Sequence, residues 1–194
     1  MADVLLLHSA LGRRPAIAAY AARLEAVGHR VVAPDLYEGQ VFTTADAGVP
    51  HMRWLGWERL VARAEAAAGE LPGPFVAIGM SMGAGLAAHL AVTRPGVKGV
   101  LLLYSGEPPE RPWPLGLPVQ VHHTVGDPWA DPASSSAFVT AAARGGSPAA
   151  LYLYPGAKHL VDDVDLPDHH DPSAAALMWT RTVAFLQEID MTGT

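Results

Sequence analysis

Three side chains far apart in the sequence have the right types to form one nucleophilic centre. Ser81 lies in Gly79-Met80-Ser81-Met82-Gly83, directly after the apolar run 74–79 and directly before the Ala-rich run 82–93. A serine hydroxyl attacks an acyl carbon only when a neighbouring base takes its proton and an acid orients that base. A tight strand-to-helix turn projects such a hydroxyl from a sheet edge, and flanking glycines let neighbouring backbones pass without Cβ clashes. The turn also opens a helix, whose free N–H groups favour a developing oxyanion, so the Met82 N–H is an expected donor. The plainer alternative is a glycine-rich turn with a serine cap, since Ser caps helices of every kind. Placement between strand and helix favours the nucleophile. A nucleotide site at Gly79, Gly83 and Gly85 lacks both the G-x-G-x-x-G order and the Lys-Ser/Thr of a phosphate loop.

Nine histidines compete for the role of base. His159 ends Tyr154-Pro155-Gly156-Ala157-Lys158-His159, a loop leaving the apolar run 150–154. His169 and His170 precede the last helix and follow no strand directly, His122 and His123 fall inside an expected strand, and His8 closes another. His159 is therefore the expected base. For the acid, Asp127 follows the run 119–124 in Gly126-Asp127-Pro128-Trp129. Asp131 reads as the cap of the next helix, and Glu107, after the run 99–104, is the alternative acid one strand earlier. The ordinary alternative for each carboxylate is a solvated loop charge. The second oxyanion donor is expected from His8-Ser9-Ala10-Leu11-Gly12, with the Ala10 N–H the natural candidate and Ser9 the alternative.

These residues need elements to carry them. Expected strands cover residues 3–8, 30–33, 74–79, 99–104, 119–124 and 150–154, and expected helices cover 15–26, 54–70, 82–93, 133–144 and 173–189. A Gly-, Thr- and Pro-rich loop is expected up to about Met52. Strands alternating with helices at these spacings predict an α/β chain, a doubly wound, mostly parallel sheet of about six strands with helices on both faces. Loops at the carboxyl ends of such strands meet at one edge, where ligands bind. The 194 residues fit one domain, 1–194, with no repeat or linker.

Composition narrows the partners. Half the residues (50%) are apolar and 16% charged, with a net charge of −6 and no cluster of Lys and Arg, so nucleic acid is not an expected partner. No apolar run is long enough to cross a membrane. The chain has no cysteine, which removes disulfides, thiolate metal sites and a thiol nucleophile. No basic region precedes the short apolar stretch from Val4 to Leu7, so no export signal is read there and a cytoplasmic location is expected.

With these pieces placed, the chain resembles the dienelactone hydrolase family of α/β-hydrolases. The resemblance rests on several segments in order: His8 to Gly12, Ala33-Pro34-Asp35-Leu36-Tyr37, Gly79 to Gly83, Asp127-Pro128, and Tyr154-Pro155-Gly156-Ala157-Lys158-His159. It implies a minimal α/β-hydrolase fold without a lid domain, and a triad of Ser81, Asp127 and His159. The implied reaction is hydrolysis of a small ester or lactone through an acyl-enzyme, with no metal or organic cofactor. The chain departs from the family pattern in several places. The family nucleophile is a cysteine, where this chain has Ser81. A glutamate that contacts the resting thiol is replaced by Ser9. An arginine shortly after the catalytic histidine holds the substrate carboxylate in the family, whereas Leu160-Val161-Asp162-Asp163 follows His159 here. The family's leading antiparallel strands are not expected either. Fold and reaction type survive these changes, but dienelactone as substrate does not.

Tyr37, Trp113 and Trp129 fall in loops at the expected ligand edge, where they either wall an acyl pocket or simply cover the sheet. Together with Ser9 they are the candidate substrate contacts. Arg53 and Arg59 are possible substitutes for the lost anchor, though solvated helix charges are the simpler reading. The stretch 162–171 is rich in Asp and His, but its ligands are bunched in one loop, so it reads as a solvated segment and not a metal site. Segments 37–52 and 106–118 are the longest available covers, which predicts a shallow, open site. The rival reading from another class is a non-catalytic small-molecule binder on the same scaffold.

Overall fold

The computed structural model describes residues 1–192. Six strands, β1 (Asp3–Leu7), β2 (Arg30–Val32), β3 (Phe75–Met80), β4 (Val97–Leu103), β5 (Val119–Thr124) and β6 (Ala149–Tyr154), form one sheet in the order β2-β1-β3-β4-β5-β6. Every neighbouring pair is parallel. The helices are α1 (Pro15–Ala26), α2 (Ala45–Leu55), α3 (Trp57–Gly69), α4 (Met82–Thr93), α5 (Pro132–Arg144) and α6 (Pro172–Thr192).

Unbroken apolar strands are what a sheet covered on both faces requires, because successive side chains enter opposite cores. In β1, Leu5 and Leu7 join the core beneath α3, α4 and α5, while Val4 and Leu6 join the core beneath α1 and α6. The same division runs through β3 and β4: Ala77, Val100 and Leu102 face one way, and Ile78, Leu101 and Leu103 the other. Each fully buried Leu, Ile or Val contributes roughly 1.5–3 kcal/mol by removal from water. These two layers flank the sheet whose carboxyl edge carries the loops after its strands.

The strand reversal falls between β1 and β3, so the loops after these two strands converge at the carboxyl edge. Contact there is backbone on backbone. A Cβ on Gly83 would collide with the carbonyl oxygens of Leu7 and His8, and one on Gly79 with the Gly83 carbonyl. The motif's glycines are thus fixed by close approach of β1, β3 and α4.

The structure corrects one segment of the sequence reading. The expected loop up to Met52 contains α2, and the expected single helix over 54–70 is interrupted at Gly56, whose φ of 79° and ψ of 149° no helix accommodates. Pro50 lies inside α2, where proline is ordinarily costly. Packing outweighs that cost. Leu55 is buried, Val49 and Met52 lie on the core, and Gly48 lets the helix rest directly on the Ala10 carbonyl, where a Cβ would not fit. The remaining element boundaries differ from expectation by no more than a few residues.

Gly83→Ala is expected to lower stability by about 2–4 kcal/mol, because β1 backbone cannot rotate out of the way. Gly73→Ala, with open space around the added carbon, is expected to stay within about 0.5 kcal/mol of the parent. Urea unfolding midpoints check the pair, and equal midpoints would refute the close-approach argument.

Candidate active site

Ser81 sits between β3 and α4 with φ 55° and ψ −112°, a conformation that L-residues adopt only when their surroundings impose it. Its N–H donates to the Leu103 carbonyl at 2.7 Å and its own carbonyl accepts from the Ala84 N–H at 2.9 Å, which pins the turn on both sides. The hydroxyl is thereby lifted off the sheet edge toward the loops following β5 and β6.

His159 meets it there. Nε2 of His159 is 2.9 Å from Ser81 Oγ, and Nδ1 is 2.7 Å from Asp127 Oδ2. An ionised carboxylate only accepts, so Nδ1–H donates to Asp127, which leaves Nε2 free to accept from the serine hydroxyl. The Asp127 side chain is fully buried, and its other oxygen accepts from the Trp129 N–H at 2.9 Å, fixing the carboxylate plane. Three residues separated by 46 and 32 positions in the sequence are thus joined in one hydrogen-bonded line. Glu107, the alternative acid, is exposed and accepts from Ser134 Oγ, while Asp131 caps α5 through the Ala133 and Ser134 N–H groups.

The loop bearing His159 is held from several directions. Thr124 Oγ1 donates to the Lys158 carbonyl at 2.8 Å, and His169 Nδ1 donates to the His159 carbonyl at 2.9 Å. The Tyr104 ring packs edge-on against the imidazole, with centroids 5.6 Å apart, and its hydroxyl donates to Asp162 Oδ1 at 2.6 Å. Next to it, Arg14 Nε and Asp163 Oδ2 form a buried ion pair at 2.7 Å, each side chain only 7% exposed. The acidic stretch after His159 is therefore not the solvated loop read from sequence, since two of its carboxylates are tied into the framework. Burial raises both the Asp162 carboxyl and the Tyr104 hydroxyl above their ordinary values. Among the described residues no group of three or more His, Cys, Asp or Glu is arranged to hold a metal ion.

The turn after β1 is organised around His8, a residue that the sequence reading set aside. Its Nδ1 donates to the Ser9 carbonyl at 2.7 Å and its Nε2 accepts from the Leu36 N–H at 3.0 Å. Accepting at Nε2 requires a neutral ring, and burial supplies it by pushing the His8 pKa down to about 4. The Gly12 N–H closes the turn on the Ser9 carbonyl at 3.1 Å. Among the described residues, the N–H groups of Ala10 and Met82 make no hydrogen bond, and Ala10 and Ser81 line the same cleft.

That cleft is narrow, about 40 Å³, and its apolar walls are Leu11, Ala45, Val49, Leu160 and Trp129. Two of these belong to α2, so the site is covered more than its expected openness implied. Of the four candidate substrate contacts, Ser9 and Trp129 line the cleft. The other two do not. Tyr37 is buried behind the site, its hydroxyl 3.3 Å from Met82 Sδ and its ring against His8, and Trp113 packs on Phe138 while donating to the Leu117 carbonyl at 2.9 Å. Arg53 and Arg59 are exposed on helices and lie outside the cleft, whose walls carry no Lys or Arg. His169 lines it as well, and nothing in the sequence around that residue signals this.

A family model described as the dienelactone hydrolase family matches residues 2–190. No curated protein matches the sequence. Among solved structures, a dienelactone hydrolase-like promiscuous phosphotriesterase from metagenomic libraries is 22% identical with a TM-score of 0.82, covering 97% of this chain and 87% of its own. A dienelactone hydrolase described as putative, from Klebsiella pneumoniae, is 17% identical with a TM-score of 0.76, over 95% of this chain and 86% of that one. A hydrolase of the alpha/beta superfamily, also described as putative, from Xanthomonas campestris is 23% identical with a TM-score of 0.57, over 93% and 99%. At these identities the likenesses concern the fold. Among the described residues no helix is long and apolar enough to cross a membrane.

The His8 contacts generate a pH dependence. The folded pKa of about 4 lies below the ordinary 6.5, so the unfolded chain binds this proton more readily. The stability conferred by the neutral ring is complete above pH 6.5 and is lost as the pH falls toward 4, by on the order of 3 kcal/mol. Urea midpoints across this range are expected to fall in the parent and to fall less in His8→Gln. Parallel curves would remove His8 as the cause.

Proposed function

The chain belongs to the dienelactone hydrolase family, and from that premise we propose that it is a serine hydrolase cleaving a small carboxylic ester or lactone through an acyl-enzyme. The observation that carries this reading is the unbroken line from Asp127 Oδ2 through His159 to Ser81 Oγ. Ser81 Oγ attacks the substrate carbonyl carbon while His159 Nε2 takes the hydroxyl proton, and Asp127 stabilises the resulting imidazolium. The carbonyl oxygen becomes an oxyanion within reach of the unpaired N–H groups of Ala10 and Met82. Collapse of this intermediate breaks the bond to the leaving oxygen, which receives the proton from His159. Water then attacks the acyl-serine with His159 as base, releasing the acid and restoring the hydroxyl. A lactone follows the same steps with its alcohol still tethered.

The cleft supports small, uncharged acyl groups. Its walls are apolar and hold no Lys or Arg to anchor a carboxylate, so a substrate with a free acid has no counter-ion there. Ala45 and Val49 from α2 limit the depth available to an acyl chain.

Ser81→Ala is expected to lower kcat toward p-nitrophenyl acetate by about 10⁴–10⁶-fold without altering the unfolding midpoint, and a fluorophosphonate probe is expected to label Ser81 in the folded parent. Absence of that label, or near-parental activity in the variant, would favour a non-catalytic binder on the same scaffold. Across a p-nitrophenyl ester series, acetate and butyrate are expected to be hydrolysed with similar efficiency and long acyl chains poorly. A preference for long chains would contradict the narrow cleft.

A further inference from the structure

Ser9 is 4% exposed and lies one residue before Ala10 in the turn after β1. Its hydroxyl accepts from the Leu11 N–H at 3.2 Å. A hydroxyl carries one proton to donate as well as its lone pairs, and among the described residues no acceptor takes the proton of Ser9. Leaving a buried donor unmade is costly, so a free one lining a cleft points to a bond formed only with a ligand.

Ser81 and His159 in the cleft are already engaged, and His169 is engaged at one of its two ring nitrogens. Ser81 faces His159 Nε2, His159 Nδ1 is held by Asp127, and His169 Nδ1 is spent on the His159 carbonyl. Ser9 shares the cleft with Ser81, and its neighbour in the turn presents the unpaired Ala10 N–H. We propose that Ser9 Oγ–H is a further oxyanion donor, acting beside the Ala10 and Met82 N–H groups when the tetrahedral intermediate forms. The Leu11 N–H holds the oxygen, and the proton rotates toward the charge. No covalent bond to Ser9 forms or breaks. This inference rests on the serine-hydrolase reading of the same site.

The structure also gives Ser9 a second task, because removing its oxygen leaves the Leu11 N–H without its partner. Two substitutions separate the tasks. Ser9→Ala removes both acceptor and donor, whereas Ser9→Asp keeps an acceptor for Leu11 but exchanges the hydroxyl proton for a negative charge that opposes an oxyanion, so only recovery in this variant is decisive. With the full chain and p-nitrophenyl butyrate, Ser9→Ala is expected to lower kcat by about 10–100-fold with KM within about twofold, and Ser9→Asp is expected to lose at least as much. Affinity for a trifluoromethyl ketone, which forms a tetrahedral adduct on a serine, is expected to fall in parallel. Parental kcat in Ser9→Ala, or recovery of kcat in Ser9→Asp, overturns the proposal and leaves Ser9 as a turn-forming residue. Fluorophosphonate labelling of the parent distinguishes the two levels of failure. An unlabelled Ser81 removes the hydrolase reading and this inference together, whereas a labelled Ser81 with an unaffected Ser9→Ala removes this inference alone.

Discussion

The close crossing of three backbone segments at the carboxyl edge of the sheet is the constraint from which the site follows. The end of β1, the end of β3 and the first turn of α4 approach so closely that Gly79 and Gly83 have no room for a side chain. The chain can make that crossing only by placing Ser81 in an unfavourable conformation, and the hydrogen bond from Ser81 N–H to Leu103 extends the constraint to β4. Rigidity here comes from peptide groups, whose positions the two flanking cores fix. The proposed nucleophile and the turn bearing Ala10 are therefore held in register by the sheet itself.

Around that crossing, polar groups are buried in pairs that fix their partners' orientation. Asp127 orients His159, neutral His8 links the Ser9 carbonyl to Leu36, and Arg14 with Asp163 ties the start of α1 to the loop beyond His159. The ionic pair of Arg14 with Asp163 adds little net stability, because desolvation offsets most of its attraction. What such pairs supply is a single arrangement of loops that would otherwise sample several. His8 and Tyr37 illustrate the distinction between facing a ligand and supporting what faces it, since both are packed directly behind the turn and neither lines the cleft.

Much of this was legible in the sequence for a physical reason. Ser81, Asp127 and His159 each follow an apolar strand, and parallel strands deliver their following loops to one edge, so strand order alone predicts convergence. The aromatic residues were less legible, because position in a loop does not specify where a ring points. Trp129 lines the cleft, whereas Tyr37 and Trp113 turn inward. Helix α2 was hidden by its own composition. Gly48 and Pro50 read locally as breakers, and only the distant Ala10 carbonyl explains why glycine is needed there. Asp162 and Asp163 were misread for a similar reason, since their partners Tyr104 and Arg14 lie 58 and 149 residues away.

The seating of Gly48 on the Ala10 carbonyl has a consequence for how this architecture diverges. The wall of the cleft and the turn that carries the proposed Ala10 donor are in direct van der Waals register, so sliding the helix drags the turn with it. Drift in specificity is thereby channelled into exchanges of side-chain bulk along the inner helix face. Displacement of the whole segment is opposed at this point in the fold by the Ala10 carbonyl against which Gly48 rests.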